Sequence, residues 1–350
     1  MESSIHKNKF SFFKIIEEKD ITSGVKCMKL VNNYLLLKKI GKGTWGKVFI
    51  STDIYTKKNY AIKKINLKDL FKTQKSISQF IREIKLMKSL EHPNILKLEK
   101  VLVSLNGNYA YLILKLAEHG SVDSLIKQNV NISLSSILSI IKQISYALMF
   151  IHSKEYVHHD IKPGNILIDA DGKALLSDFG IGHSFKSALS VVGSPAFQAP
   201  EALDDNDDNQ KMPQEEDVWA LGVTLYQMIF KKLPFKGSSL YEIISTIKSK
   251  KIDIPEDSPE IVKKLLNGML SIDQSKRLKS SECYKLLKEF PDKAEIDYDC
   301  LEIPECSLSN PTILIKASEH DSIDSLKIEI NKFYPITDEI QNNITSNSCL

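Results

Sequence analysis

Asp160, Lys162 and Asn165 fall within one short stretch, His158-His159-Asp160-Ile161-Lys162-Pro163-Gly164-Asn165, and a second carboxylate follows at Asp178-Phe179-Gly180. A carboxylate that can take a hydroxyl proton, an ammonium that can neutralise a moving phosphate, and an amide and a carboxylate that can share a divalent cation form a recognisable set. It is the set needed to move a phosphoryl group from a metal-bound nucleotide onto a hydroxyl. On that reading Asp160 is the base, Lys162 steadies the transferring phosphate, and Asn165 with Asp178 hold Mg2+ through oxygen ligands. His158 and Phe179 read as packing residues rather than chemical ones.

The nucleotide needs its own cradle, and Gly41-Lys42-Gly43-Thr44-Trp45-Gly46-Lys47-Val48 supplies the candidate. Alone this spacing is weak, because dinucleotide-binding folds use it too, with a helix straight after the loop. Here Lys47 to Thr52 is β-prone and Ala61-Ile62-Lys63 lies on the next strand, which fits a loop folded over ATP phosphates instead. Gly41, Lys42, Gly43 and Gly46 would bring backbone amides to those oxygens. Lys63 would hold the α and β phosphates, and Glu83 would fix its ammonium by an ion pair. Val48, Ala61 and Leu167 suit an apolar slot for the adenine, with Ile40 beside them, and Leu114 and Leu116 mark the hinge edge of the same nucleotide site.

Those residues must be held by elements that the pattern foretells. Five β-prone runs, Tyr34 to Ile40, Lys47 to Thr52, Asn59 to Ile65, Leu98 to Ser104 and Tyr109 to Leu116, predict a small antiparallel sheet. Between the third and fourth, Phe80, Ile81, Ile84, Met87 and Leu90 recur at helical spacing and place Glu83 beside a buried face. Beyond Leu116 the signals are helical, over Ser121 to Lys127, Leu134 to Ser153, Val218 to Phe230, Leu240 to Lys248, Pro259 to Leu270 and Ser280 to Phe290. The expected fold class is therefore α+β and bilobal, a small five-stranded antiparallel sheet lobe with one helix and a larger, mainly helical lobe. Expected boundaries are an N-terminal extension over 1–32, a catalytic domain over 33–290 (33–116 and 117–290) and a polar C-terminal tail over 291–350. Asp204 to Asp217 reads as a solvated acidic loop. In the tail, 322–333 carries one apolar helical face behind Asp321 as a candidate cap.

Composition excludes little. The 350 residues are 42% hydrophobic and 26% charged, and a net charge of +3 is too small to argue for nucleic acid or an anionic membrane. The cysteines, Cys27, Cys283, Cys300, Cys306 and Cys349, are odd in number and lack metal-ligand spacing, so neither disulfides nor zinc is expected. Cys349 stands next to the end, whereas prenylation needs a cysteine fourth from it, so no membrane anchor is expected. A cytoplasmic protein, with the nucleus as an alternative, fits these features. Cations are nearly all lysine; the arginines are Arg82 and Arg277. An arginine in such a chain suggests a planar bidentate partner, and Glu201 of Ala199-Pro200-Glu201 is the obvious one for Arg277.

Taken together, the glycine loop, Ala61-Ile62-Lys63, Glu83, Asp160 to Asn165, Asp178-Phe179-Gly180, Ala199-Pro200-Glu201, Asp217 and Arg277 resemble the eukaryotic protein kinase family over roughly Tyr34 to Phe290. Lys162 within Asp-Ile-Lys-Pro-Gly-Asn, with Gly193-Ser194-Pro195-Ala196-Phe197, is similar to the serine/threonine branch. Val157 to Asn165, Gly193 to Gln198 and Gly222-Val223-Thr224-Leu225-Tyr226 resemble more narrowly the liver kinase B type. That resemblance implies a non-specific serine/threonine protein kinase using ATP and Mg2+, acting on protein substrates that are themselves kinases, with a pseudokinase and a scaffold protein as activators. A pseudokinase-like binding or scaffold module is the alternative of another class, and it normally lacks the lysine, the base or a metal ligand, all present here. A small-molecule kinase of related fold is disfavoured by the Ala199-Pro200-Glu201 segment.

Two departures carry consequences. His159 replaces the arginine that usually clamps an activation-segment phosphate, and a neutral imidazole is a poor substitute for a guanidinium fork. Activity is therefore expected to be independent of phosphate on Ser190. Ser121 and Gly164 stand where kinases that prefer upstream arginine place glutamates, so no strong basic preference is expected.

Overall fold

The computed structural model describes residues 28–43, 46–70, 74–179, 195–203, 213–237, 239–249, 252–298, 302–303, 312–320, 322, 324–327 and 330. The chain divides into two compact units, one built from 1–88, 97–116 and 302–350 and the other from 89–96 and 117–301.

In the first unit the chain runs through β1 (Met28–Val31), β2 (Tyr34–Gly43), β3 (Gly46–Asp53), β4 (Asn59–Asn66), a single turn α1 (Leu67–Leu70), the longer helix α2 (Gln74–Ser89), β5 (Leu98–Ser104) and β6 (Tyr109–Lys115). Each pair β2/β3, β3/β4, β4/β6 and β5/β6 is antiparallel. Alternation along these strands turns Val31, Tyr34, Leu36, Ile62, Leu102, Tyr111 and Ile113 onto one buried cluster. The β5/β6 hairpin closes through Asn106-Gly107-Asn108, where Gly107 takes φ 68 and the Asn106 side chain accepts from the Asn108 amide. Helix α2 buries Phe80, Ile81, Glu83, Ile84 and Met87, the face expected from the spacing.

The second unit is mainly helical. It contains β7 (Gly120–Ser121), α3 (Val122–Lys127), α4 (Leu134–His152), β8 (Ile166–Ile168), β9 (Ala174–Leu176), α5 (Pro200–Leu203), α6 (Pro213–Phe230), α7 (Leu240–Ser249), α8 (Glu260–Met269) and α9 (Ser280–Leu286). Ser121 and Ser133 cap α3 and α4 by accepting from the Ser124 and Ser136 amides. Helix α4 is long and apolar enough to cross a membrane by composition, but it packs against α6, α9 and β9. Its Lys142 is only 5% exposed and donates to the carbonyls of Lys288 and Phe290 beside Asp292. Strands β7, β8 and β9 form a small antiparallel sheet of their own.

Two readings of the sequence are corrected. The first sheet has eight strands, not five, because β1 and two strands of the tail, β10 (Thr312–Ile315) and β11 (Ala317–Glu319), join it in the order β10-β1-β2-β3-β4-β6-β5-β11. It is also not wholly antiparallel, since β10 runs parallel to β1. These strands lie in segments expected as extensions, and they are too short to carry a decisive period. Secondly, α6 begins at Pro213 rather than Val218, so the end of the expected acidic loop is helical. Proline at a helix start and Glu215 and Glu216 in its first turn explain this. In the tail the Ser322 hydroxyl accepts from the Ser325 amide, and Leu326 and Ile330 are buried; Asp321, the expected cap, lies outside the described residues.

Cys283 is buried, and burial pushes its thiol up to about 12, consistent with an inert packing role. Cys27, Cys300, Cys306 and Cys349 lie outside the described residues. His92 sits against the rings of Tyr146 and Phe150 at 4.4 and 5.0 Å between centroids, and burial pushes its imidazole down to about 4. The unfolded chain, with an ordinary imidazole near 6.5, therefore binds the proton first as pH falls. His92 should contribute stability fully above that value and lose it progressively down to about 4. Thermal unfolding of wild type and His92→Leu across this range should show a shallower pH slope in the variant.

Candidate functional site

The Asp217 carboxylate is 1% exposed, near the N-terminal end of α6, and it gathers the loop around itself. Its Oδ2 accepts from the His158 amide at 2.8 Å and pairs with His152 Nε2 at 2.9 Å, while its Oδ1 accepts from the His159 amide at 2.8 Å. Burial pushes this carboxyl up, but the His152 hydrogen bond and the neighbouring His152 and His158 outweigh it and hold it below the usual carboxylate value. His152 is braced in turn by Ser280 at 3.1 Å from Nδ1. These bonds fix His159 at φ 62, a left-handed conformation that costs a non-glycine residue of order 1 kcal/mol or more and needs external support.

The turn delivers Asp160. Its carboxylate accepts from Lys162 Nζ through both oxygens, at 2.8 and 2.6 Å, and from Asn165 Nδ2 through Oδ2 at 2.8 Å. Asn165 Nδ2 also reaches the Asp160 carbonyl at 2.8 Å. The three residues expected to do chemistry are thus joined in one network, with side-chain exposures of 10% for Asp160 and 28% for Lys162. His158 does pack, edge-on to Phe179 at 4.9 Å, and it also has a positioning role. Its Nδ1 accepts from the Asp160 amide at 3.3 Å and its Nε2 donates to the Ser177 carbonyl at 2.9 Å, which assigns the ring proton to Nε2. Ser177 returns two bonds to the Asn165 carbonyl, from its amide and its hydroxyl. Asp178 follows, exposed and at φ 57, a second left-handed non-glycine residue at this loop. Gly180 lies outside the described residues.

The other half of the expected set lies on the first unit. Lys63 is on β4, opposite Leu112 on β6 and Val48 on β3, and Ala61 is opposite Leu114. Ile40, Gly41, Lys42 and Gly43 end β2, and Leu116 follows β6, buried. Glu83 is buried on α2 at 6% exposure. The glycines separate into two kinds. A Cβ on Gly46 would lie 1.9 Å from the Lys64 carbonyl oxygen, so the sheet itself requires glycine there, whereas a Cβ on Gly41 would meet only Val48 at 3.7 Å. Nothing among the described residues demands glycine at Gly41, which fits a position kept clear for a ligand. Leu167, on β8 of the second unit, is half-buried. Thr44 and Trp45 lie outside the described residues.

Arg277 makes the bidentate pair expected of it, Nη1 to Glu201 Oε1 at 2.5 Å and Nη2 to Oε2 at 3.1 Å, both side chains buried. Two further donors, Nε and the second Nη1 hydrogen, reach the Ser271 and Glu215 carbonyls, and its guanidinium lies over the Trp219 ring at 5.0 Å. His159 was read as a neutral imidazole, but Glu216 stands 3.5 Å from its Nδ1. That contact raises its pKa, burial opposes the rise, and the Asp217 and Glu216 charges add to it. Glu216 lies in a segment expected to be a solvated loop, and His152, Ser177 and Ser280 join it among the interacting residues that the sequence pattern does not single out. Ser190 and Ser194 lie outside the described residues.

Residues 34–287 match the protein kinase domain family. The chain is 32% identical over 257 residues to the serine/threonine-protein kinase stk11 homolog of Dictyostelium discoideum, covering 71% of this chain and 44% of the relative. It is 30% identical to the serine/threonine-protein kinase ssp1 of Schizosaccharomyces pombe, over 71% of this chain and 41% of the relative. It is 29% identical to a calcium/calmodulin-dependent protein kinase kinase of Caenorhabditis elegans, over 71% and 51%. The chain thus spans about half or less of the length of these relatives.

Removing Arg277 should strand a buried Glu201 charge. Arg277→Met is expected to cost about 3 to 5 kcal/mol, and Glu201→Leu/Arg277→Met to recover much of it. Denaturant unfolding of both variants checks this. With the match over 34–287 and a 32% identical serine/threonine-protein kinase relative covering 71% of the chain, the chain belongs to the protein kinase family, in its serine/threonine branch.

Proposed function

We propose that this chain is an ATP-dependent serine/threonine protein kinase that transfers the γ-phosphate to protein hydroxyls, and that its targets include other protein kinases. The observation that carries the reading is the Asp160 carboxylate, held by Lys162 and Asn165 within 2.6 to 2.8 Å and set by a loop anchored on a buried carboxylate. With a hydroxyl acceptor in place, Asp160 orients it and takes its proton as the new P–O bond forms and the bond from the γ-phosphorus to the β–γ bridging oxygen breaks, with ADP as the leaving group. Lys162, released from Asp160, neutralises the phosphate oxygens. Asn165 and Asp178 offer oxygen ligands of the kind Mg2+ prefers, and the bound cation would shield charge on the phosphates. Lys63, supported by Glu83, holds the α and β phosphates. Ile40, Val48, Ala61, Leu114, Leu116 and Leu167 take the adenine.

Kinases as targets are supported by the resemblance to the liver kinase B type and by a relative that is a kinase kinase by name. The same resemblance brings a pseudokinase and a scaffold as activators, which should raise turnover when added. Independence from Ser190 phosphorylation is supported by Glu216, since a carboxylate already faces the imidazole that a phosphate would otherwise engage.

Asp160→Asn should lower phosphate transfer about 10²- to 10⁴-fold while leaving nucleotide binding near wild type. Labelled-phosphate incorporation and direct ATP titration measure the two; undiminished transfer would refute the assignment. For specificity, a Cβ at Gly164 meets nothing within 4 Å among the described residues, so Gly164→Glu should fold normally. On a peptide array it should gain a preference for upstream arginine that the wild type lacks.

A further inference from the structure

The two ends of the eight-stranded order, β10 and β11, are consecutive in the chain, separated only by Lys316. One stretch of tail therefore pairs with β1 on one side and β5 on the other, and closes the sheet on itself. The crossing is made at Asn32. Its amide donates to the Ile315 carbonyl at 3.1 Å, and its side chain forms a two-bond pair with Ala317, Nδ2 to the carbonyl at 2.8 Å and the Ala317 amide to Oδ1 at 2.9 Å. The side-chain amide stands in for a strand residue where the two ladders meet. Asn32 holds φ 50 there, which asparagine tolerates better than most residues. Ile315 and Ala317 pack on the buried cluster of the sheet. Beyond them, Glu319 pairs with Lys100 at 2.6 Å and the His320 amide donates to the Val101 carbonyl.

The segment then reaches the helix that carries Glu83. Lys88, in the last turn of α2, donates from Nζ to the His320 carbonyl at 2.9 Å, and His320 is 5% exposed. Lys88 lies little more than one turn beyond Glu83, so a swing of α2 that moves Glu83 also pulls on this bond. The charge-assisted bond opposes such a swing, and a cation suits a helix C-terminus.

We propose that Thr312–His320 is a positioning strap: through Asn32 and Lys88 it ties α2 to the closed sheet and so holds Glu83 in place for Lys63 and the nucleotide. Its effect on turnover rests on the kinase reading; its effect on α2 does not. Lys88 and Asn32 are positioning residues, and neither touches the reactants. In the full-length chain, Lys88→Met should raise the KM for ATP roughly tenfold, the scale of one charge-assisted hydrogen bond. The KM for the protein substrate should be unchanged, and Lys88→Arg should restore ATP use. Asn32→Ala should act in the same direction. Amide exchange over Ile81 to Met87 should quicken in Lys88→Met, and this is measurable even without turnover. If exchange there is unaltered in the folded variant, or if ATP KM is unaltered while wild type turns over, the strap is structural only and the proposal is overturned.

Discussion

A single buried carboxylate, that of Asp217, sets the geometry on which everything else depends. Left unpartnered, an ionised group at 1% exposure would cost several kcal/mol. Here both oxygens are satisfied, by two consecutive backbone amides and an imidazole. Those two amides belong to the residues just before Asp160, the proposed base, so satisfying the charge and bending the chain at His159 are one event. The strain of the left-handed turn is offset by bonds that exist only in that conformation, and Asp160 emerges on a fixed support rather than a loose loop.

The same economy recurs at the base of the second unit. Glu201 and Arg277 bury opposite charges against each other in fork geometry, and the Ser271 and Glu215 carbonyls take two more guanidinium donors. Asp217, Glu215 and Glu216 share the first turns of one helix, so the anchor of the loop, the Arg277 contact and the partner of His159 are carried by neighbouring residues of α6. In the first unit the binding elements lie on a sheet closed by the tail, and Gly46 shows how closely its backbones approach.

Much of this was legible in the sequence because the residues proposed to be catalytic are written as local motifs. Asp160, Lys162 and Asn165 are close in the chain and close in space, and the five central strands and α2 declared themselves by period. Arg277 was readable for another reason: in a lysine-coded chain an arginine marks a need for a planar fork. What escaped were features whose reason is not local. β1, β10 and β11 are each three or four residues long, and nothing in Thr312–Ile315 says that its partner lies at Met28–Val31. Asn32 looks like an ordinary turn residue until the tail is laid beside it. Pro213 and the glutamates after it carried a helix-start signal, but a run of acidic and polar residues ahead of them masked it.

The most direct test is to replace Asp217 by asparagine, which keeps the shape but sets an amide donor against groups that need an acceptor. If the buried charge organises the loop, the folded variant should bind ATP within about threefold of wild type yet lose roughly 10²-fold or more in kcat, the scale of a small misplacement of catalytic groups. A folded Asp217→Asn protein with wild-type kcat would contradict the account.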